Sequence, residues 1–170
     1  MFRILGIDPG SISTGVGIVD FEGKTPHHVF HTVLRVSAKQ DFPSRIDFFH
    51  KELTRIIDSF EPKTAALEKV FISTNPSSAL KLGLIRGVIM LSCRIKELEI
   101  IEVSTREMKV SLTGYGAADK KQVASMVKRI LGISEKLSHD ESDALAIAIS
   151  AGYETKSRVS AHKLSSESNG

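Results

Sequence analysis

Four carboxylates stand beside apolar segments at three widely separated places in the sequence. An ionised carboxylate beside core-forming residues is costly unless it is paired or faces a cleft. Hard cations such as Mg²⁺ bind carboxylate oxygens together with water and substrate phosphates. The spread of these acids therefore predicts a divalent-metal site suited to phosphate chemistry. The four acids are Asp8, Glu68, Asp140 and Asp143.

Each of the four acids also has an ordinary structural explanation. Asp140 and Asp143 are three residues apart and share a helix face, but acids in a first helical turn also interact favourably with the helix dipole. Glu68 is compatible with a surface position at a strand end, and Asp8, which precedes Pro-Gly, with a simple turn. The face of Asp140 and Asp143 continues to Ile147, which we expect to be buried, and this alignment favours the metal-ligand interpretation.

The composition bounds the size and the environment of the protein. The chain has 170 residues, of which 41% are hydrophobic, and this suffices for one well-packed domain. We expect that domain to span residues 1–154 and the polar, serine-rich residues 155–170 to form a disordered tail. The single cysteine, Cys93, cannot form a disulfide within the chain, so we expect a core position in a reducing compartment. With no secretory signal and no uninterrupted apolar span, we expect a cytoplasmic protein without a membrane segment.

Positive charge is concentrated in one segment of the chain. The whole chain has a net charge of +3, whereas residues 104–131 alone contain six bases against two acids. Basic side chains on a solvated helix face are the ordinary explanation. Together with a carboxylate cluster, the same segment indicates a polyanionic substrate held near a metal. The six bases are Arg106, Lys109, Lys120, Lys121, Lys128 and Arg129.

Hydrophobic periodicity predicts an α/β domain in which helices cover both faces of a mixed sheet. The turn around Gly23 predicts that the second and third strands form a hairpin. A strand that follows a helical crossover runs parallel to the first strand, so we expect Asp8 and Glu68 to lie close together. The predicted strands are 2–7, 15–21, 28–36, 64–70 and 99–103, and the predicted helices are 44–60, 76–98, a short helix after Ser104, 119–131 and one that begins at Ser138.

Four short blocks of sequence carry a family resemblance. They are Ile4-Leu-Gly-Ile-Asp-Pro-Gly10 with Thr14-Gly15, Leu67-Glu-Lys-Val-Phe71, Leu112-Thr-Gly-Tyr-Gly116 with Ala118-Asp-Lys-Lys-Gln-Val123, and Asp140-Glu-Ser-Asp-Ala-Leu-Ala146. With these blocks in order, the chain resembles the RuvC family of Holliday-junction resolvases. The resemblance implies a ribonuclease-H-like fold with a five-stranded sheet, a homodimer and Mg²⁺-dependent cleavage of four-way DNA. It also implies that the four acids are catalytic, and we expect two Mg²⁺ ions per site, with Mn²⁺ able to substitute.

The resemblance extends to residues that contact DNA. Phe71 matches an aromatic residue that acts at the junction crossover, although a core position is an equally open explanation. Lys109 and Lys120 match basic residues that hold DNA near the scissile bond. We expect Tyr115 and Lys121, in the same loop and helix, to contact DNA as well.

Other features of the family bear on the assembly and on one histidine. Some relatives carry histidine at the position of Asp140, but here His139 precedes that position and we assign it no catalytic role. Gly83 and Gly87 mark a candidate helix for the dimer interface, and close packing of these glycines on the sheet is the alternative. Family members also work with a branch-migration complex, RuvA and RuvB, which we expect as a partner.

Two other functions fit parts of the sequence. The segment Gly6-Ile-Asp-Pro-Gly10 with a following hairpin also looks like the first phosphate loop of actin-like and sugar-kinase ATPases. A chain of 170 residues holds only one such domain, and no second Asp-x-Gly-Gly loop is present. A non-catalytic junction-binding module is the other alternative, and the presence of all four acids argues against it.

Overall fold

A five-stranded mixed sheet forms the centre of the protein in the computed structural model, which describes residues 1–69 and 76–167, with side chains as far as residue 155. The strand order is β3-β2-β1-β4-β5. This arrangement confirms the expected mixed sheet, and the five predicted strands are all present with small differences at their ends. The strands are β1 (Phe2–Asp8), β2 (Ser13–Glu22), β3 (Thr25–Arg35), β4 (Thr64–Glu68) and β5 (Glu99–Val103).

The strand pairing brings the ends of β1 and β4 together. Strand β1 is antiparallel to β2 and parallel to β4, and β4 is parallel to β5. Ile7 lies opposite Leu67, so the residues that follow them, Asp8 and Glu68, end neighbouring strands at one edge of the sheet. The expected proximity of Asp8 and Glu68 is thus confirmed. The helical crossover returns the chain to the end of the sheet where β1 begins, so β4 runs parallel to β1 and ends beside it.

Five helices connect and cover the strands. They are α1 (Phe42–Phe60), α2 (Pro76–Ile95), α3 (Thr105–Thr113), α4 (Lys120–Leu131) and α5 (His139–Glu167). Helix α1 begins two residues before the predicted start because Asp41 accepts a hydrogen bond from the Ser44 amide and Pro43 fits the first turn. Ser104 caps α3 as predicted, and Ser138 forms the predicted capping box with Glu141.

The backbone of α5 differs from the expectation for the end of the chain. The sequence predicts a tail without regular structure over residues 155–170, whereas α5 continues to Glu167. Polar side chains lack a face that can be buried, but they do not prevent helical hydrogen bonds from propagating beyond the packed part of the helix. The domain boundary at residue 154 stays a prediction.

Two layers of side chains pack on opposite faces of the sheet. Helices α1 and α2 cover one face, where Leu5 and Phe49 are buried, and helices α3, α4 and α5 cover the other, where Ile4 and Leu145 are buried. Neighbouring residues of β1 therefore pack in different layers, because successive side chains of a strand point to opposite faces of the sheet. Cys93 is fully buried in the first layer, as expected. No helix of the described residues is long and apolar enough to cross a bilayer.

Helix α2 buries one side and exposes the other. Ile85 and Ile89 are buried against the sheet layer. Gly83 and Gly87 lie on the opposite side, where an added Cβ atom would meet no atom of another part of the described chain within 4 Å. The interpretation that these glycines allow close packing on the sheet is therefore wrong.

Candidate active site

The four acids converge at one edge of the sheet. Asp8 and Glu68 are the last residues of the adjacent parallel strands β1 and β4. Asp140 lies in the first turn of α5 and Asp143 follows three residues later, and this helix packs against β1 and β2. All four side chains are half-buried, so each can reach both the protein and a bound molecule.

Glycines in the strands allow α5 to approach closely enough for this convergence. A Cβ atom at Gly15 would lie 2.0 Å from the carbonyl oxygen of Asp140, and one at Gly6 would lie 2.1 Å from that of Ala144. A side chain at either position would push the helix away from the sheet. Gly15 also lies opposite Asp8 in the β1–β2 pairing. The absence of a side chain at Gly15 therefore allows Asp140 to lie close to Asp8.

The electrostatics of Asp8 show that the acids act on one another. Burial raises the pKa of Asp8 to about 7, and the negative charges of Asp143, Glu68 and Asp140 add to the increase, while Lys120 opposes it. A carboxylate that is both desolvated and surrounded by like charges holds its proton unusually tightly. Such a site favours any ligand that brings positive charge.

Two side chains hold Glu68 in place. The hydroxyl of Thr105 donates a hydrogen bond of 2.5 Å to Oε1 of Glu68. A guanidinium nitrogen of Arg86 donates a hydrogen bond of 2.6 Å to the main-chain oxygen of Glu68. The same guanidinium pairs with the carboxylate of Glu102 on β5. Sequence patterns give no signal for these contacts, because a threonine that opens a helix and an arginine in an amphipathic helix have ordinary roles there.

The described residues do not yet form a coordination sphere. Within residues 1–69 and 76–155, no three His, Cys, Asp or Glu side chains form a group that could hold a metal ion. Two of the four carboxylates contact other side chains of the described chain. Glu68 faces Thr105, and Asp143 lies 3.4 Å from the Lys120 ammonium. The donor set itself suits a hard divalent cation, because it consists of four carboxylates that include Asp8 with its raised pKa.

Two of the predicted DNA-contacting lysines border the acids. Lys109 and Lys120 line a cleft of about 110 Å³ together with Glu68, Thr105 and Asp143. Cations placed beside the carboxylates can hold a phosphate at the same place. This cleft is the part of the structure in which the basic segment and the acidic cluster meet.

The other predicted DNA-contacting residues lie elsewhere. Tyr115 and Lys121 line a separate, wider groove of about 470 Å³ between α3 and α4, and Tyr115 is 63% exposed. His139 is exposed at the start of α5. Phe71 lies outside the described residues, so its predicted place at the junction crossover stays a prediction.

Comparisons with known proteins agree on one family. The family model described as crossover junction endodeoxyribonuclease RuvC matches residues 4–151. The crossover junction endodeoxyribonuclease RuvC of Xylella fastidiosa is 42% identical over 154 residues, which are 90% of this chain and 89% of that protein. Its counterpart from Actinobacillus succinogenes is 44% identical over 153 residues, with coverages of 90% and 80%.

The fold comparison agrees with the sequence comparison. The solved structure of T. thermophilus RuvC in complex with a Holliday junction substrate matches with a TM-score of 0.87 and 26% identity. The match covers 92% of this chain and 96% of that one. It confirms the expected ribonuclease-H-like fold.

Proposed function

This chain belongs to the RuvC family of crossover junction endodeoxyribonucleases, and from that premise we propose that it resolves four-way DNA junctions by paired nicks in recombination and repair. The activity is metal-dependent, as is general for the family. The observation that carries the proposal is the convergence of Asp8 with Glu68, Asp140 and Asp143, since all three raise its pKa. Each acid lies in one of the sequence blocks that carry the family resemblance.

We propose Mg²⁺ as the cofactor, with two ions per active site and Mn²⁺ as a substitute. The four acids, Asp8, Glu68, Asp140 and Asp143, would hold the ions. Bound divalent ions of this kind activate a water molecule and stabilise the leaving oxygen in an in-line displacement. Because Asp8 has a pKa of about 7, it must release a proton before it can serve as a ligand, so cation affinity should rise with pH.

The chain's own residues would position the DNA. Lys109 and Lys120 border the acids and would hold the phosphate that flanks the scissile bond. Lys121 and Tyr115 would contact the DNA farther along, in the groove between α3 and α4. We keep Phe71 as a candidate contact at the crossover, and the family resemblance alone supports it.

We propose that a second copy of the chain covers the exposed side of α2. Large apolar side chains follow one stripe of this helix, with Gly83 and Gly87 between them. Such a stripe is suited to burial against its own copy around a two-fold axis. A two-fold dimer would present the active site twice to a junction whose symmetry is close to two-fold. The stripe consists of Leu80, Leu84, Leu91 and Ile95, which are 48–66% exposed.

Two further expectations rest on family membership alone. We propose that a branch-migration complex of RuvA and RuvB is a partner of this chain. We also propose that the protein acts in the cytoplasm, where the chromosome of a bacterium would be its substrate.

The experiment that tests the function is nicking of a synthetic four-way junction in the presence of Mg²⁺, with ATP turnover measured beside it. We expect two symmetrically placed nicks in the junction, no cleavage of a linear duplex of the same sequence, and no ATP hydrolysis. ATP hydrolysis without nicking would favour the actin-like alternative. Junction binding without nicking in Mg²⁺ or Mn²⁺ would favour the non-catalytic module.

A further inference from the structure

The hydrogen bond between Thr105 and Glu68 has a consequence for metal binding. We infer that Thr105 is a positioning residue, whose hydroxyl orients the Glu68 carboxylate toward the cation held by the four acids. This inference rests on the proposed function. The effect of Thr105 on the cation would pass through Glu68, to which its hydroxyl donates.

The hydroxyl of Thr105 donates to a carboxylate oxygen, Oε1 of Glu68. An O–H group that donates to an ionised carboxylate makes bonds of about 2.5–2.7 Å, roughly twice as strong as bonds between neutral partners. The bond occupies one lone pair of Oε1, and no residue of the described ranges 1–69 and 76–155 hydrogen-bonds Oε2, so an oriented carboxylate oxygen is available to a cation.

Thr105 is itself held rigidly at the start of α3. Ser104 and Glu107 form a capping box around it. Met108 and Leu112 on the same helix are buried in the core. A hydroxyl on such a helix end keeps its position and can fix the torsion angles of a neighbouring side chain.

The backbone of Glu68 is fixed independently of Thr105. Arg86, whose side chain is only 11% exposed, donates to the Glu68 main-chain oxygen, and the Lys69 amide donates to the Val103 oxygen at 2.8 Å. The end of β4 is therefore anchored to α2 and to β5. The side-chain torsions of Glu68 remain to be set, and among the described residues Thr105 makes the hydrogen bond that sets them.

Removal of this hydroxyl should therefore change metal affinity more than stability. Groups that orient a metal ligand typically contribute about 10–100-fold to metal affinity or activity. Thr105→Val keeps the shape of the side chain and removes the donor, whereas Thr105→Ser keeps the donor. Ser111→Ala is the matched control, because it removes a hydroxyl on the same helix that bonds Ser150 and none of the four acids.

The test measures Mn²⁺ binding to the DNA-free protein by calorimetry, with thermal melts and junction cleavage beside it. We expect Thr105→Val to bind Mn²⁺ about 10-fold more weakly than the wild type, to need correspondingly more metal for half-maximal cleavage, and to bind the junction normally in EDTA. The Mn²⁺ affinities of Thr105→Ser and Ser111→Ala should stay within about twofold of the wild-type affinity, because both variants keep a hydroxyl donor to Glu68. If Thr105→Val melts much earlier, Thr105→Ala replaces it in the same assays.

The outcomes separate this inference from the proposed function. If the wild type binds Mn²⁺ and cuts junctions while both Thr105→Val and Thr105→Ala bind Mn²⁺ as tightly as the wild type, the inference is wrong and the function stands. A Thr105→Ser protein as weak as Thr105→Val would also overturn it, because the hydroxyl would then not be the active group. If the wild type neither binds the ion nor cuts the junction, the proposed function fails and the inference fails with it.

Discussion

Asp8 lies at the end of β1 among three other carboxylates, and this position gives it a testable role. Asp8→Asn removes a candidate metal ligand and leaves the basic residues that would contact DNA unchanged. We expect cleavage in Mg²⁺ to fall by more than about 100-fold, beyond the 10–100-fold typical of residues that only support a ligand. Junction affinity in Ca²⁺ or EDTA should remain close to that of the wild type. Near-normal cleavage by the purified variant in Mg²⁺ would remove Asp8 from the catalytic set.

The raised pKa of Asp8 also predicts how the stability of the metal-free protein depends on pH. The pKa is about 7 in the folded protein and 3.8 as the ordinary value, so the folded state binds this proton more tightly than the unfolded state does. The resulting stabilisation is complete below about pH 4 and is lost as the pH rises through about 7. The loss is on the order of a few kcal/mol, since one pKa unit corresponds to about 1.4 kcal/mol.

Thermal melts in EDTA at several pH values measure this effect. Relative to Asp8→Asn, the wild type should become less stable as the pH rises from about 4 to about 7, and excess Mg²⁺ should reverse the loss. Parallel pH profiles for the two proteins would contradict the raised pKa.

At the scale of elements, helices α3 and α4 each place one lysine beside the acidic cluster. Lys109→Ala or Lys120→Ala should slow cleavage and lower the salt slope of junction affinity by about one unit per lost phosphate contact. Lys51→Ala is the control, because Lys51 is exposed on α1, which covers the opposite face of the sheet, and pairs with Asp47. Affinity measured at several salt concentrations decides the matter. Slopes equal to that of the wild type would mean that the two lysines do not contact DNA phosphates.

The helices also determine what reaches the site. Helix α5 brings Asp140 and Asp143 because Gly15 and Gly6 allow it to lie against the sheet. Helix α2 has contacts of two kinds: its exposed stripe faces away from the sheet, while Arg86 reaches the backbone of Glu68.

At the scale of the whole molecule, the proposed dimer depends on the exposed stripe of α2. The double variant Leu84→Glu and Leu91→Glu places like charges at both copies of the interface, so we expect a monomer in light scattering after gel filtration. Its nicks should fall on single strands of the junction instead of in symmetric pairs. Val110→Glu on α3 is the control for oligomeric state, because Val110 is 47% exposed, much like Leu84 at 48%. A double variant that remains a dimer would place the interface elsewhere.

The sequence by itself predicted the architecture and the convergence of the four acids, whose role as metal ligands stays a prediction. Alternating and helical periodicities predict the five strands and the helices, because each element must bury one side. The apolar residues of that side recur at short, regular spacings within the element, so the pattern can be recognised locally. The parallel crossover then places Asp8 beside Glu68 with no knowledge of distances. The capping residues Ser104 and Ser138 act within their own helices, and they too could be recognised locally.

Only the tertiary structure decided which side chains support these acids. The Thr105–Glu68 bond and the Arg86–Glu68 bond join residues that are 37 and 18 positions apart, on elements whose relative placement depends on strand register and helix packing. The same packing showed that Gly83 and Gly87 face outward and that Gly15 lies under Asp140. Periodicity records which side of an element is buried. Contacts of 2.5–2.6 Å between elements depend on how all the buried sides fit together, and no single segment contains that information.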